Sequence, residues 1–118
     1  MDAETAVAAL AALAQTTRLE TFRLLVKHEP GGLPAGEIAK ALGVPQNTMS
    51  AHLAVLTRAR LAVGRRRSRS IIYRADLAGF RAVALFLLKD CCRSHADVCA
   101  PLIADLTPCC SQLMSTRA

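Results

Sequence analysis

Residues 34–61 contain two short helical patterns on either side of a turn at Gly43. Apolar residues recur three or four residues apart in both patterns, which is typical of helices that bury one face. These residues are Ile38, Leu42, Met49, Leu53 and Leu56. Glycine adopts the left-handed conformation that ends many helices, and Pro34 and Pro45 suit helix beginnings. The stretch therefore predicts a helix-turn-helix, a unit whose second helix can enter the major groove of DNA.

The second of these helices is predicted to carry a polar outer face of short side chains. Amide, hydroxyl and imidazole groups of this kind can hydrogen-bond to base edges and phosphates. The candidate DNA-binding residues on this face are Gln46, Asn47, Thr48, Ser50 and His52. A helical hairpin with a polar surface and no DNA-binding role would show the same pattern, so the helices alone leave both interpretations open.

A basic segment follows the second helix. No Asp or Glu lies between Glu37 and Asp76, whereas that window holds eight Lys and Arg residues, which favours a partner rich in phosphate. Within it, apolar residues alternate on both sides of the stretch RRRSR, a pattern typical of a β-hairpin. We predict that the hairpin is a wing whose arginines bind phosphates or enter the minor groove. These candidate DNA-binding residues are Arg65, Arg66, Arg67 and Arg69.

Two helices are predicted before the helix-turn-helix. Asp2 caps the first, in which Val7 and Leu10 belong to one apolar stripe. The stretch TRLE, from Thr17 to Glu20, has the form of a capping box and begins the second helix. The apolar stripe predicted for the second helix consists of Leu19, Phe22 and Val26.

A long last helix is predicted from Asp76, as its cap, through Cys92. It is apolar on nearly all sides, so it has more apolar surface than one small domain can cover. The same helix of a second subunit would cover that surface, together with the alanine-rich first helix. A two-fold dimer would also place its two recognition helices about 34–36 Å apart, the spacing of successive major grooves.

The predicted fold is therefore mainly α-helical with a small β-hairpin wing. It is a winged helix-turn-helix that forms a homodimer through its first and last helices. Residues 1–92 are expected to form the DNA-binding and dimerisation domain, and residues 93–118 a cysteine-rich C-terminal segment.

Length and composition set the class of protein. At 118 residues the chain forms one domain, and 53% hydrophobic but only 3% aromatic residues predict an aliphatic core. Apolar runs such as Ala82–Leu88 are far shorter than a membrane-spanning helix, and the acidic N-terminus lacks the basic start of a signal peptide. We therefore expect a cytoplasmic protein with no membrane partner. Its cysteines would be reduced there and would act as ligands or redox sensors.

These segments resemble the ArsR/SmtB family of winged-helix metal-sensing repressors. The similarity covers roughly residues 8–90 and rests on LAQTTRLETFRLL, EIAKALGVPQNTMSAHLAVLTRARL and GRRRSRSIIYRA. It implies a homodimer that needs no cofactor to bind double-stranded operator DNA and that a toxic metal or metalloid releases. Two of the family's sensing sites have no counterpart here, because PAGEIAKAL contains no cysteine and LAGF, after Asp76, contains no histidine.

The inducer site is expected among the cysteines, all five of which lie in the last 28 residues. Some arsenic-responsive members of the family carry a Cys-Cys pair and a third cysteine after the last helix, and CCRSHADVC is similar to that arrangement. The resemblance implies that Cys91, Cys92 and Cys99 bind trivalent arsenic, or antimony, as the inducer. Soft thiolates select such thiophilic ions.

Other ligands and roles for the thiols stay open. Zinc or cadmium would need a fourth ligand, which His95, Asp97, Cys109 or Cys110 could supply. Oxidation of the thiols to a disulfide would instead make the protein a redox sensor. An enzyme is not expected, because the chain has neither a Cys-x5-Arg loop nor a Cys-x-x-Cys motif.

Overall fold

The computed structural model describes residues 1–89 and 100–106. Five helices and three strands are bounded in this part of the chain. The helices are α1 (Ala3–Leu13), α2 (Thr16–Lys27), α3 (Ala35–Leu42), α4 (Gln46–Arg58) and α5 (Leu77–Leu88), and the strands are β1 (Leu33–Pro34), β2 (Ala62–Arg67) and β3 (Ser70–Ala75). The chain divides into two compact units, Met1–Val83 and Ala84–Ala118. The first unit contains every element except the second half of α5.

The strands form an antiparallel sheet in the order β1-β3-β2. The predicted hairpin is confirmed: β2 and β3 pair from Ala62 opposite Ala75 to Arg67 opposite Ser70, and Ser68 takes a φ of 59° in the tight turn between them. The short strand β1 was not predicted, because its two residues are too few to show an alternating pattern. It adds Leu33 opposite Tyr73 at the other edge of β3.

The core of the first unit is aliphatic, as the composition predicted. Its buried members come from α1 to α4, both long strands and α5. They are Ala9, Ala12, Phe22, Leu25, Ile38, Ala39, Met49, Leu53, Leu56, Leu61, Ala62, Ala75 and Val83. Burial of these side chains holds α4 against the rest of the unit along one face only and leaves its opposite face in solvent.

The helix-turn-helix is confirmed at its turn. Gly43 ends α3 with a φ of 65°, the left-handed conformation that glycine adopts without strain. The amide of Val44 then donates to the carbonyl oxygen of Ala39 at 3.0 Å, which closes the end of α3 and sends the chain into α4. Pro34 lies just before α3 and pairs with Ile72 in the sheet, one position earlier than the predicted first turn.

The predicted start of α2 is wrong. The capping residue is Gln15, whose side-chain oxygen accepts from the amide of Arg18 at 2.8 Å, and the helix begins at Thr16. Thr17 therefore lies inside the first turn, where its carbonyl oxygen accepts the hydroxyl of Thr21 at 2.7 Å. The backbone at Gln15 is extended, which lets its side chain cap the helix. Ser, Thr, Asp and Asn are the more common capping residues.

Two predicted apolar stripes lie largely outside the core. In α1, Val7 is 63% exposed and Leu10 41%, and α2 exposes Leu19 and Val26 while Phe22 is buried. The buried face of α1 consists of Ala6, Ala9 and Ala12. Small side chains let α1 approach its neighbours closely, so the alanines form the contact and the larger residues remain available at the surface. The predicted cap is confirmed, since Asp2 accepts from the amide of Thr5 at 2.8 Å.

The start of α5 agrees with the prediction, because a carboxylate oxygen of Asp76 accepts from the amide of Gly79 at 3.0 Å. In the first unit Val83 is buried, whereas Leu77 and Phe80 are 45% and 39% exposed. The helix α5 ends at Leu88 and Lys89 lies in a turn, whereas residues 90–92 of the predicted helix lie outside the described residues.

The second unit is helical at residues 84–88 and 100–106. Its exposed large apolar side chains are Leu85, Leu87, Leu88, Leu102, Ile103 and Leu106. Among the described residues, no helix has the length and apolar character needed to span a membrane.

Candidate nucleic-acid interface

The outer face of α4 presents the polar side chains that the sequence predicted. Met49, Leu53 and Leu56 are fully buried on the inner face. The exposed candidates are Gln46, Asn47, Thr48 and Ser50. His52 differs from them, because it is half-buried at the flank of the helix. The helix therefore offers amide and hydroxyl groups to a partner from its first turn and a half.

No side chain in the described part of the chain caps the beginning of α4. Pro45 holds the capping position and has no side-chain acceptor. The carboxamide oxygen of Asn47 does accept from the amide of Thr48 at 2.9 Å. The other free amides at this end carry partial positive charge, which favours an anion such as a phosphate group.

The wing carries its arginines on two faces and a tip. Arg65, Arg66, Arg67 and Arg69 are all exposed. Because side chains alternate along a strand, Arg66 shares a face with its partner Ile71, while Arg65 and Arg67 share the opposite face. Arg69 lies in the turn. The four side chains therefore reach in different directions, as is needed to contact more than one phosphate of a curved backbone.

A cleft of about 450 Å³ separates the wing from the helix-turn-helix. Gln46 and Ser50 of α4 line one side, and Arg69 and Tyr73 line the other. The beginning of α3 closes the cleft and brings the carboxylate of Glu37 to it. The cleft thus brings together residues of α4 and of the wing that were predicted separately.

Sequence reasoning missed Tyr73 and Glu37 as members of this cleft. Tyr73 was identified only as an alternating apolar residue of a strand, and Glu37 only as the acidic limit of the basic window. The register of β3 could have placed Tyr73 on the same face as Ile71. Glu37 depends on the packing of α3 against the sheet, for which the sequence carries no local signal.

Arg74 is an arginine of the wing with a partner inside the protein. Its Nη2 donates to Oε2 of Glu29 at 2.8 Å, and its Nε donates to Oε1 at 3.2 Å. This two-point contact lowers the pKa of the Glu29 carboxyl, chiefly through the hydrogen bond from the guanidinium. Arg74 belongs to the eight cations of the basic window, but its charge is largely compensated.

The Nδ1 edge of the His52 ring faces the guanidinium of Arg18. Nη1 of Arg18 lies 3.4 Å from Nδ1 of His52, and Nε of the same arginine donates to the carbonyl oxygen of Ala12 at 2.7 Å. His52 is therefore connected through Arg18 to the last turn of α1, unlike the fully exposed candidates of α4.

The candidate inducer ligands lie outside the described residues. This applies to Cys91, Cys92 and Cys99 and to the additional candidates His95, Asp97, Cys109 and Cys110. Within residues 1–89 and 100–106, no three His, Cys, Asp or Glu side chains come close enough together to hold a metal ion.

Comparisons with known proteins agree with this architecture. A helix-turn-helix domain family matches residues 13–65. No curated protein sequence matches the chain significantly. Among solved structures, the chain is similar to the homodimeric winged helix-turn-helix DNA-binding domain of Mb0332 from Mycobacterium bovis, a possible ArsR-family transcriptional regulator. The two are 27% identical with a TM-score of 0.61, over 76% of this chain and 82% of that one.

Two further structures have the same degree of similarity. HlyU from Vibrio cholerae is 28% identical with a TM-score of 0.60, over 75% of this chain and 96% of that one. A possible transcriptional regulator for arsenical resistance is 29% identical with a TM-score of 0.60, over 82% of this chain and 94% of that one. The fold and these matches together identify a winged helix-turn-helix protein of the DNA-binding type, similar to ArsR-type transcriptional regulators.

Proposed function

We propose that this protein is a homodimeric repressor that leaves its operator DNA when trivalent arsenic binds to its C-terminal cysteines. The observation that carries the DNA-binding part is the cleft in which Gln46 and Ser50 of α4 face Arg69 and Tyr73 of the wing. Amide and hydroxyl groups there would read base edges in the major groove, and the wing arginines would hold the adjacent phosphates.

The exposed apolar residues of the first unit support the homodimer. Val7 and Leu10 of α1 are exposed, and Leu77 and Phe80 of α5 border an open groove of about 690 Å³ beside α2. Exposed large apolar side chains in such numbers are typical of a surface that another subunit covers. The similar domain of Mb0332 is homodimeric. A two-fold dimer would present two α4 helices to successive major grooves.

The chemistry of the thiols supports the inducer. Trivalent arsenic binds three sulfurs in a pyramid, and Cys91, Cys92 and Cys99 supply three thiols within nine residues. A similar structure belongs to a possible transcriptional regulator for arsenical resistance. Antimony has the same preference for thiolates and is expected to act in the same way.

Release requires that the thiol site and the DNA site influence each other. Gathering three thiols at the end of the helix that forms the dimer would change the angle between the two recognition helices. An operator that fits the unliganded angle would then bind more weakly, with a coupling free energy of about 1–3 kcal/mol.

Redox sensing is a second candidate, because the chain carries more thiols than one arsenic ion needs. Oxidation could join Cys91 or Cys92 in a disulfide to Cys99, or to either Cys109 or Cys110. Zinc or cadmium sensing is a third, with His95, Asp97, Cys109 or Cys110 as the fourth ligand. The three candidate functions share DNA binding through α4 and the wing. They differ only in the signal that releases the protein from DNA.

A DNA-release titration tests the proposal. Operator fragments are first selected from random duplexes with the reduced protein, and their release is then followed by fluorescence anisotropy. We expect arsenite and antimonite to release the DNA under reducing conditions at lower concentrations than zinc or cadmium. Release by peroxide with reversal by dithiothreitol, and indifference to arsenite, would establish redox sensing in its place. A protein that selects no duplex would contradict the DNA-binding assignment itself.

A further inference from the structure

Arg18 is held by three contacts near the junction of α1, α2 and α4. Its backbone amide donates to the side chain of Gln15 at 2.8 Å, and its Nε donates to the carbonyl oxygen of Ala12 at 2.7 Å. The first bond holds the backbone of Arg18 in the first turn of α2, and the second holds the guanidinium of its half-buried side chain. The third contact joins Nη1 of Arg18 to Nδ1 of His52, 3.4 Å apart. This distance is long for a hydrogen bond, but the donor nitrogen faces the ring nitrogen.

The contact decides which nitrogen of His52 carries the proton. A guanidinium has five N–H donors, no acceptor, and stays charged throughout the pH range of proteins. Nδ1 can therefore face Nη1 favourably only as an unprotonated acceptor, and the proton of the neutral ring must lie on Nε2. If Nδ1 carried the proton, its N–H group would face the N–H group of Nη1, and the two donors would repel each other.

A neighbouring contact packs α2 against α4 beside His52. The hydroxyl of Thr21 lies 3.6 Å from the sulfur of Met49, and both residues are fully buried. Met49 precedes His52 by one helical turn, so α2 meets α4 at two successive positions on the same side of the helix. The contact with Arg18 turns Nδ1 of His52 toward α2, so Nε2 lies on the other edge of the ring. Among the described residues, nothing forms a hydrogen bond with Nε2.

We propose that Arg18 is a positioning residue for DNA recognition, which holds His52 in its Nε2-protonated form so that the ring offers one hydrogen-bond donor to the nucleic acid. The acceptor would be an oxygen of a phosphate or an acceptor atom of a base edge, such as purine N7. Arg18 itself need not touch DNA. This inference rests on the proposed DNA-binding function, but the state of the ring can be measured without DNA.

The first experiment measures the ring nitrogens directly. Two-bond ¹H–¹⁵N spectra of the reduced full-length protein distinguish an unprotonated from a protonated ring nitrogen in each histidine. We expect His52 to show an unprotonated Nδ1 and a protonated Nε2, and Arg18→Met to convert it to a mixture. His28, exposed at the end of α2, serves as the internal control and should not change. A protonated Nδ1 in wild-type His52 would refute the proposal, even if the variant fails to fold.

The second experiment uses two amide replacements that differ in where they put the donor. The amide nitrogen of Gln takes the place of Nε2, whereas that of Asn takes the place of Nδ1. We expect His52→Gln to bind the selected operator about five to ten times more tightly than His52→Asn, the size of one hydrogen bond. Equal affinities of the two variants would mean that the donor at Nε2 has no role.

A double-mutant cycle separates positioning from general damage to the fold. Arg18→Met should weaken binding about twofold when residue 52 is His, because the freed ring populates both tautomers and only one of them offers the donor. The loss should be clearly smaller when residue 52 is Gln, because an amide has no tautomers. The same loss in both backgrounds would make Arg18 a structural residue only. Losses on operator and random duplexes alike identify a phosphate as the acceptor, and losses on the operator alone identify a base. A wild-type protein that binds no duplex would contradict the proposed function but not the measured ring state.

Discussion

The guanidinium of Arg74 contacts the carboxylate of Glu29 at two points, with N–O distances of 2.8 and 3.2 Å, and so fastens the second strand of the wing to the loop after α2. Side-chain exposure is 44% for Arg74 and 19% for Glu29, so the pair lies at the surface but is partly shielded. The contact separates Arg74 from the other arginines of the wing, which have no acidic partner among the described residues. The basic segment therefore contains both a structural arginine and arginines available to DNA.

The pH dependence of this pair has a defined direction. Arg74 lowers the pKa of the Glu29 carboxyl in the folded protein, mainly by donating hydrogen bonds to it. The pair therefore stabilises the fold fully at pH values above the ordinary pKa of glutamate, and this contribution disappears as the pH falls through the lowered value. A carboxyl NMR titration should show Glu29 titrating below the ordinary range, and Arg74→Met should return it to that range. An unchanged titration in the variant would show that the contact does not form in solution.

The exposed wing arginines should control the salt dependence of DNA binding. Removal of one phosphate contact should flatten the slope of log K against log salt by roughly 0.9. Replacing Arg65, Arg67 and Arg69 with Ala should weaken binding to every sequence and flatten this slope. Arg74→Met is the control for each single replacement in this set, because it removes one positive charge from the same hairpin without removing a phosphate contact. Equal slopes for the triple variant and wild type would exclude the wing from the interface.

The exposed residues of α4 should act on sequence choice instead. Gln46, Asn47 and Ser50 lie where base edges would be read, so Ala substitutions should each cost roughly 1–3 kcal/mol on the operator and little on random DNA. Competition binding with operator and random duplexes measures both effects. Equal weakening on both would identify these side chains as phosphate contacts.

The local parts of this fold were predictable, and its long-range contacts were not. The turn at Gly43 and the buried face of Met49, Leu53 and Leu56 follow from periodicity and from one glycine, both visible within a few residues. The pairing of Glu29 with Arg74 joins residues 45 positions apart, and that of Arg18 with His52 joins residues 34 positions apart. Such contacts depend on how helices and strands pack. Counting cations along the chain therefore could not separate Arg74, which pairs with Glu29, from the wing arginines that are available to DNA.

The apolar stripes also show that local sequence patterns do not determine long-range packing. Periodicity correctly found that Val7 and Leu10 share one face of α1, but it could not tell which apolar face the protomer buries. The alanine face is buried because α1 packs closely, through Ala9 and other small residues. The predicted thiol ligands lie outside the described residues, so that prediction still depends on residue chemistry and on resemblance alone.

Gly79 should be essential where α5 crosses the end of α4. A Cβ at this position would overlap the carbonyl oxygen of Arg60, a residue with a left-handed φ of 62°. The amide of Asp76 also donates to the carbonyl oxygen of Leu61 at 2.9 Å, so the two backbones are tied together at this point. Gly79→Ala gains up to about 1 kcal/mol of helix propensity. The overlap should outweigh this gain, with a net loss of about 1–3 kcal/mol in the free energy of unfolding.

Urea unfolding measures this effect, and Gly31→Ala is its matched control. At Gly31 the nearest atom to an added Cβ is a carbonyl oxygen 3.9 Å away, so the change should be nearly neutral. A Gly79→Ala protein as stable as wild type would mean that α5 can move away from Arg60 at little cost.

Single cysteine substitutions should separate arsenic sensing from every other role of the thiols. Changing Cys91, Cys92 or Cys99 to Ser replaces a soft ligand with a hard hydroxyl, which arsenic binds poorly. Each variant should still bind the operator, because α4 and the wing contain no cysteine, and each should stay bound when arsenite is added. Cys109→Ser and Cys110→Ser are the matched controls and should respond like wild type. Anisotropy titrations with arsenite measure both properties in one experiment, and a Cys91→Ser protein that leaves DNA at the wild-type arsenite concentration would refute the three-thiol site.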